Sequence, residues 1–469
     1  MERIKNLFRA TDMTVGAPWK QIMLFTLPML VGNIAQQLYN TVDSIVVGRY
    51  VGDNALAAVG SAGPIVNLLL VFFIGISTGA GIMVSQYFGA RDRENLALTI
   101  GNCIVACGVA SLLIMAVGSF VSGPLLHLLN TPDSIFEWCR SYLNIMVWGM
   151  AGMAFYNILS GILRGLGDSF SALLYLLVST VLNIVLDVWF VAGFQMGVPG
   201  VALATVIAQG ISALLCLWRL FRMKNLYELK AGHFKPRGES MGTIVRLGIP
   251  SGITQAIFSM AMIVVQSLTN SFGEMFIAAN VIVMRVDGFA MMPNFSFGTA
   301  MTTYAGQNVG AKRYDRVTEG ARQGTLMAVG TSAVITGIIL IFGKYLMGIF
   351  TETTELVELS MSMMRIIALG YLAMGVTQSL SGVMRGAGDT MTPMWISIFT
   401  TIVVRIPVAY VIAYLTRSPE YPIGRQECIF ISLLCSWLLG ALATVIMYRV
   451  GGWKKKALGG TAAENTYDE

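Results

Sequence analysis

Charge is what this sequence has least of. Asp, Glu, Lys and Arg make up 12% of its 469 residues, against roughly 25% in a soluble domain, which excludes a chain that wraps itself in water. Histidine is scarcer: His127 and His233 are the two present, both read as loop residues and neither placed for proton chemistry. Six cysteines, at 103, 107, 139, 216, 428 and 435, lie in or beside apolar stretches without paired metal-ligand spacing, so neither a disulfide framework nor a zinc site is supported. The chain also lacks a nucleophile–base pair, an HExxH motif and a phosphate-binding glycine loop in a suitable context, which leaves an integral membrane enzyme unsupported. No cofactor is implied.

What is present in excess is apolar length. Hydrophobic residues reach 55%, and runs of about 20 residues or more, enough to cross roughly 30 Å of hydrocarbon, recur along nearly the whole chain. They predict twelve transmembrane helices over 21–47, 55–84, 95–121, 136–160, 170–194, 199–221, 245–271, 276–304, 320–343, 356–382, 391–415 and 428–449. The fold class expected is therefore an all-α membrane protein. The first apolar segment is too long for a signal h-region and no small-residue cleavage motif follows it, so it is read as a retained span.

Lys and Arg set the orientation. Of the 31, 23 fall at alternate helix ends, beginning with Arg3, Lys5, Arg9 and Lys20, while the opposite ends hold Arg49, Arg140, Lys344, Arg417 and Arg425. Both termini are expected in the cytoplasm and the chain in the cell inner (plasma) membrane. The net charge of +6 reads as a topology signal, helped by anionic lipid, and calls for no nucleic acid. Nothing demands more than a monomer.

The chain repeats itself. Ser160 to Asp168 reads SGILRGLGD and Ser381 to Asp389 reads SGVMRGAGD, an offset of 221 residues, and the same offset lays Gln86, Gly89, Ala90 and Arg91 on Gln307, Gly310, Ala311 and Lys312. With one residue gained, Pro28 falls on Pro250. Two six-helix lobes follow: 1–221 (N-lobe), 222–244 (cytoplasmic linker), 245–450 (C-lobe) and 451–469 (cytoplasmic tail). Six is even, so the lobes run in the same direction about a pseudo-twofold along the membrane normal, an arrangement suited to alternating access.

Intramembrane polar residues are expensive and mark function. Asn33, Gln36, Asn40 and Asp43 recur at helical spacing in the first span, Asn183 and Asp187 share one face of the fifth, and Thr205, Gln209 and Ser212 line the sixth, with Asn157 near the end of the fourth. If these stripes converge, two carboxylates share a low-dielectric pocket where repulsion and desolvation favour a bound proton. The same oxygens suit a bare Na+ at Asp43, Asn183 and Asp187. The repeat is an internal control: Asp187 and Asn183 correspond to Val408 and Val404, and Asp43 to a position near Val265, so duplicated packing does not require them. Asp287 follows Arg285 by two residues, on another helix face, and is assigned either to a cationic substrate or to a buried pairing with Arg405 or Arg365. Methionines are dense here, and Met260 and Met292, with Gln36, Asn40 and Asp287, form the candidate substrate cavity. Pro28 is read as a hinge.

On these motifs the chain resembles the multidrug and toxic compound extrusion (MATE) transporters over essentially all twelve spans. The motifs are Leu-Pro in the first span, the Gln-x-x-Gly-Ala-(Arg/Lys) segments, the two Arg-Gly-x-Gly-Asp loops and Gly197-Val198-Pro199-Gly200-Val201-Ala202. Asp43, Asn183 and Asp187 are similar to the pattern of the prokaryotic DinF-like branch with its MepA-type members. The resemblance implies a coupling-cation site of Asp43, Asn157, Asn183, Asp187 and Thr205, and a helix at Pro28 that bends on protonation. It implies an antiporter that exports organic, mainly cationic, drugs and toxins against H+ or Na+. A lipid or lipid-linked precursor flippase is the alternative, kept open by Arg285, Arg365 and Arg405.

Overall fold

A computed structural model describes residues 10–128 and 131–455, apart from the side chains of Asn40, Asp53, Leu56, Pro64, Leu128 and Lys455. The long elements are helices: α1 (Pro18–Tyr50), α2 (Asp53–Gly89), α3 (Arg93–Leu128), α4 (Asp133–Trp148), α5 (Met150–Gly165), α6 (Ser169–Asp187), α7 (Val198–Arg222), α8 (Gly238–Ser271), α9 (Glu274–Gly310), α10 (Tyr314–Gly348), α11 (Thr354–Ala368), α12 (Gly370–Gly386), α13 (Met391–Ile398), α14 (Ile406–Leu415) and α15 (Cys428–Val450). Wider π-helical turns extend α6 over Val188–Gly193 and join α13 to α14 over Phe399–Arg405.

Counting each bent pair as one span, twelve helical segments among the described residues are long and apolar enough to cross a membrane. Their ends pass the apolar runs by a few residues, because a helix satisfies its own backbone groups on both sides of the hydrocarbon boundary. The fourth span bends by 50° between α4 and α5, and the tenth by 45° between α11 and α12. The first break is at Gly149, and the second, at Leu369, adjoins Gly370, which lies 221 residues on from Gly149. A Cβ at Gly149 would strike the Val206 side chain, and one at Gly370 the Trp437 ring. The bends therefore let α7 and α15 pack close.

The chain divides into two compact units. Unit 1 comprises 1–12 and 27–252, and unit 2 comprises 13–26 and 253–469. The changeovers lie beside Pro28 in α1 and Pro250 in α8, both of which continue as helix through the proline. In unit 1, Val47, Ala58, Cys139, Leu143 and Val201 belong to a core cluster of buried side chains. In unit 2, Phe276, Val283, Met363, Met364 and Phe430 do the same.

Lipid supplies little hydrophobic drive between helices, so close approach through small residues takes its place. Gly161 and Gly165 on α5 lie on Ser77 and the Gly81 carbonyl of α2, and the repeat reproduces this in unit 2, where Gly382 and Gly386 lie on Gly298 and Thr302 of α9. Within unit 1, Gly75 and Gly79 of α2 meet Gly248 and the Ile244 carbonyl of α8 in the same way.

The repeated motifs are helix punctuation. Arg91 and Lys312 stop α2 and α9 in the left-handed conformation, at φ 57° and 56°, and Gly167 and Gly388 turn the chain at φ 82° and 95°. Asp168 then caps α6 through the Ser171 amide at 3.0 Å and hydroxyl at 2.8 Å. Asp389 takes the Thr392 amide at 3.2 Å and hydroxyl at 2.6 Å.

Candidate functional site

The strongest constellation lies in unit 1, built by α1, α4, α6 and α7. α1 presents Tyr39 and Asp43 four residues apart, hence on one face, and α6 presents Asn183 and Asp187 with the same spacing. Thr205 of α7 sits between them: its Oγ1 accepts from the Tyr39 hydroxyl at 3.1 Å and from Asn183 Nδ2 at 3.4 Å. Asn183 and Asp187 are fully buried, and Tyr39, Tyr142 and Thr205 nearly so. The carboxyl groups of Asp43 and Asp187 lie within electrostatic reach of each other, and the Tyr142 side chain of α4 within reach of both.

Chemically the cluster is rich in acceptors. Asp43 Oδ1, Asn183 Oδ1 and both Asp187 carboxylate oxygens are buried and take no hydrogen bond from the protein among the described residues. Buried polar groups in folded proteins are nearly always paired, and two adjacent carboxylates in low dielectric cannot both keep their charge uncompensated. Oxygen acceptors of this kind suit a shared proton or a hard cation bound by carboxylate and amide oxygens. The helix also changes form here: α6 ends on Asp187 and the backbone widens, with the Phe194 amide donating five residues back to the Trp189 carbonyl at 3.0 Å. Such turns recur at functional sites.

Not every residue singled out in the sequence joins this cluster. Asn157 is part-buried on α5, where its Nδ2 donates to the Met153 carbonyl of its own helix at 2.8 Å. It shares no hydrogen bond with the carboxylates among the described residues. Ser212 spends its hydroxyl on the Tyr175 carbonyl at 2.8 Å, binding α7 to α6, while Gln209 is buried. Gln36 is half-buried on α1, and the side chain of Asn40 lies outside the described residues. In unit 2, Met260 is exposed and Met292 is buried. Asp287 accepts a hydrogen bond from the Tyr371 hydroxyl at 2.9 Å and lies within electrostatic reach of Arg405, whose Nε is buried without a hydrogen-bond partner among the described residues. Arg285 and Arg365 are exposed. Tyr39 and Tyr142 were not predicted. The spacing of Tyr39 from Asp43 offered a signal, whereas Tyr142 reaches the site from the fourth span and only packing reveals it.

Comparison with known proteins agrees with this architecture. The MatE family model matches residues 28–189 and again 250–411, one copy in each half of the internal repeat. "Probable multidrug resistance protein YpnP" of Bacillus subtilis (strain 168) is 32% identical over 96% of this chain and 99% of its own length. "Probable multidrug resistance protein YoeA" of the same organism is 30% identical over 85% of this chain and 88% of its own. A crystal structure of a MATE protein in complex with MaL6 superposes with a TM-score of 0.88 at 23% identity, covering 95% of this chain and 99% of that one. With the family match spanning both halves, this multi-pass membrane chain belongs to the MATE family of transporters.

Proposed function

We propose that the chain exports organic, mainly cationic, compounds by alternating access, and that a proton or Na+ bound at Asp43 and Asp187 drives the export. The observation that carries this reading is the nearness of two intramembrane carboxylates, of which Asp43 Oδ1 and both Asp187 oxygens are buried without a donor among the described residues. Relatives named as multidrug resistance proteins support the substrate class. Val404 and Val408 at the repeat-related places in unit 2 support a task peculiar to unit 1.

With the binding site open to the outside, the carboxylates of unit 1 take up the cation, the unit repacks around the new charge balance and the substrate leaves. With the site open to the cytoplasm, the cation departs and substrate enters. Asn183 and Thr205 orient the site, Tyr39 holds Thr205 in place, and Pro28 lets α1 flex where it passes from one compact unit to the other. Both termini lie in the cytoplasm. One charge crossing about 100 mV is worth about 2.3 kcal/mol, but exchange of one monovalent cation for one proton moves no net charge, so a pH difference alone then drives it.

The test is efflux of a fluorescent organic cation from liposomes under an imposed pH or Na+ gradient, for wild type, Asp43→Asn and Asp187→Asn. Gradient-driven transport lost in both variants supports the coupling site and identifies its ion; transport unchanged in both refutes it. The second reading, a lipid flippase, has Arg405 with its unpaired Nε on its side, and translocation of a fluorescent phospholipid in the same vesicles decides for it.

A further inference from the structure

We propose that the non-cytoplasmic ends of the third and fourth spans form a seat for the phosphate headgroup of a membrane phospholipid, present in the first half of the chain and filled in the second. A cavity of about 370 Å³ opens between the last turns of α3 and the first turns of α4. Ser119, Ser122, His127, Arg140 and Asn144 give it a polar wall, and Phe120 and Phe136 an apolar one. The His127 ring lies against Phe136 with centroids 4.5 Å apart, and the Ser122 hydroxyl reaches Asn144 Oδ1 over a long 3.5 Å. Arg140 pairs loosely with Glu137, at 3.8 Å with both side chains more than half exposed. Its planar fork is therefore accessible to a phosphate, whose oxygens it matches two at a time. An exposed pair of this kind is weak and yields to a stronger acceptor.

Depth in the membrane selects the ligand. α3 has 36 residues, about 54 Å of helix at 1.5 Å per residue, against roughly 30 Å of hydrocarbon, so its last turns emerge at headgroup level. Along α3, Leu113, Val117 and Phe120 follow one another at helical spacing, 61%, 58% and 83% exposed, an apolar track that leads to the cavity, whose wall Phe120 joins. A cation and hydroxyls at the top of an apolar track match a phosphate carried on acyl chains.

The internal repeat shows that this cavity is not a by-product of the architecture. At the offset of 221, α3 and α4 map onto α10 and α11 with matching ends. Ser119, Ser122, His127 and Arg140 then become Leu340, Gly343, Gly348 and Met361, while Asn144 becomes Arg365. Met361 is 2% exposed, and its sulfur sits so close over Gly343 that a Cβ there would collide with it. The second half closes the place with a thioether; the first holds it open and lines it with polar groups.

The test is native mass spectrometry of the full chain purified from membranes containing phosphatidylglycerol, comparing wild type with Arg140→Met, which copies the second half, and Ser122→Leu, which fills the cavity. Lys344→Met, which removes another cation, at the end of α10, serves as control. Wild type and control are expected to retain the lipid, and each cavity variant that elutes as a monodisperse species to retain about tenfold less or lower still, the factor a lost charged hydrogen bond is worth. Millimolar inorganic phosphate should leave the wild-type adduct in place. Equal retention by wild type and both variants overturns the proposal, and displacement of the lipid by inorganic phosphate overturns it in favour of a soluble-anion site.

Discussion

Arg219→Ala should damage this protein more than Asp168→Asn, although both remove the same ion pair. Asp168 sits at the start of α6 with its side chain wholly buried, whereas Arg219 of α7 keeps 20% of its side chain exposed. Nε and Nη2 of Arg219 each lie 2.9 Å from Asp168 Oδ2, and the Ser171 amide and hydroxyl complete the carboxylate's shell. Without Arg219 the carboxylate keeps the Ser171 donors but loses its countercharge in a place closed to water, which costs about 3–5 kcal/mol. Asn at 168 still caps the helix and the partly exposed guanidinium turns to solvent, so that loss is about 1.5–3 kcal/mol, the worth of charged hydrogen bonds. The double variant should be more stable than Arg219→Ala alone, because the stranded charge is gone, and its cost should fall well short of the sum of the two. SDS-induced unfolding of purified protein in mixed micelles measures all three. Equal losses for the two single variants, or strict additivity in the double, would refute the argument.

Two further outcomes follow from the packing. Gly79→Ala drives a methyl into the Ile244 carbonyl, whereas Gly60→Ala enters open space, so the first is expected to lose about 1–3 kcal/mol and the second to gain about 0.5–1 kcal/mol because the unfolded chain has less backbone freedom to lose; the same unfolding assay orders them, and the reverse order contradicts the glycine crossing. Asn102 holds the chain between α7 and α8 through the carbonyls of His233 and Lys235, at 3.2 and 3.4 Å, and the Arg237 amide at 2.7 Å. Asn102→Ala should speed trypsin cleavage after Arg237 by about tenfold or more, since each bond is worth about 1 kcal/mol and local opening sets the rate; an unchanged rate denies the clamp.

The pattern of residues reached far into this fold because lipid allows few solutions. Apolar runs of sufficient length had to be helices, and their number was legible within a few residues at each end. The SGxxRGxGD repeat disclosed the duplication, and its glycines and aspartates prove to be turn and cap residues in both copies. Helical spacing placed Asn183 and Asp187 on one face of α6, and the same arithmetic puts Tyr39 on the Asp43 face of α1. Position along the span did not disclose local bonding: Asn157, expected beside the carboxylates, donates its amide to the Met153 carbonyl of its own helix. It was silent on Tyr142, on the hydrogen bond from Tyr371 to Asp287, and on the widened turn that follows Asp187.

Composition and periodicity by themselves determined that this chain is helical, membrane-embedded and duplicated, because the cost of an unpaired backbone group in hydrocarbon and the offset between two copies are properties of the linear chain. Which helix faces meet was decided only by tertiary structure. A span can rotate about its axis without changing its hydropathy, and glycine contacts such as those of Gly161 and Gly165 on α2 fix that rotation one crossing at a time. From those rotations come the meeting of Asp43 with Asp187, the position of Thr205 between Tyr39 and Asn183, and the polar cavity beside Arg140 that Met361 closes in the other half.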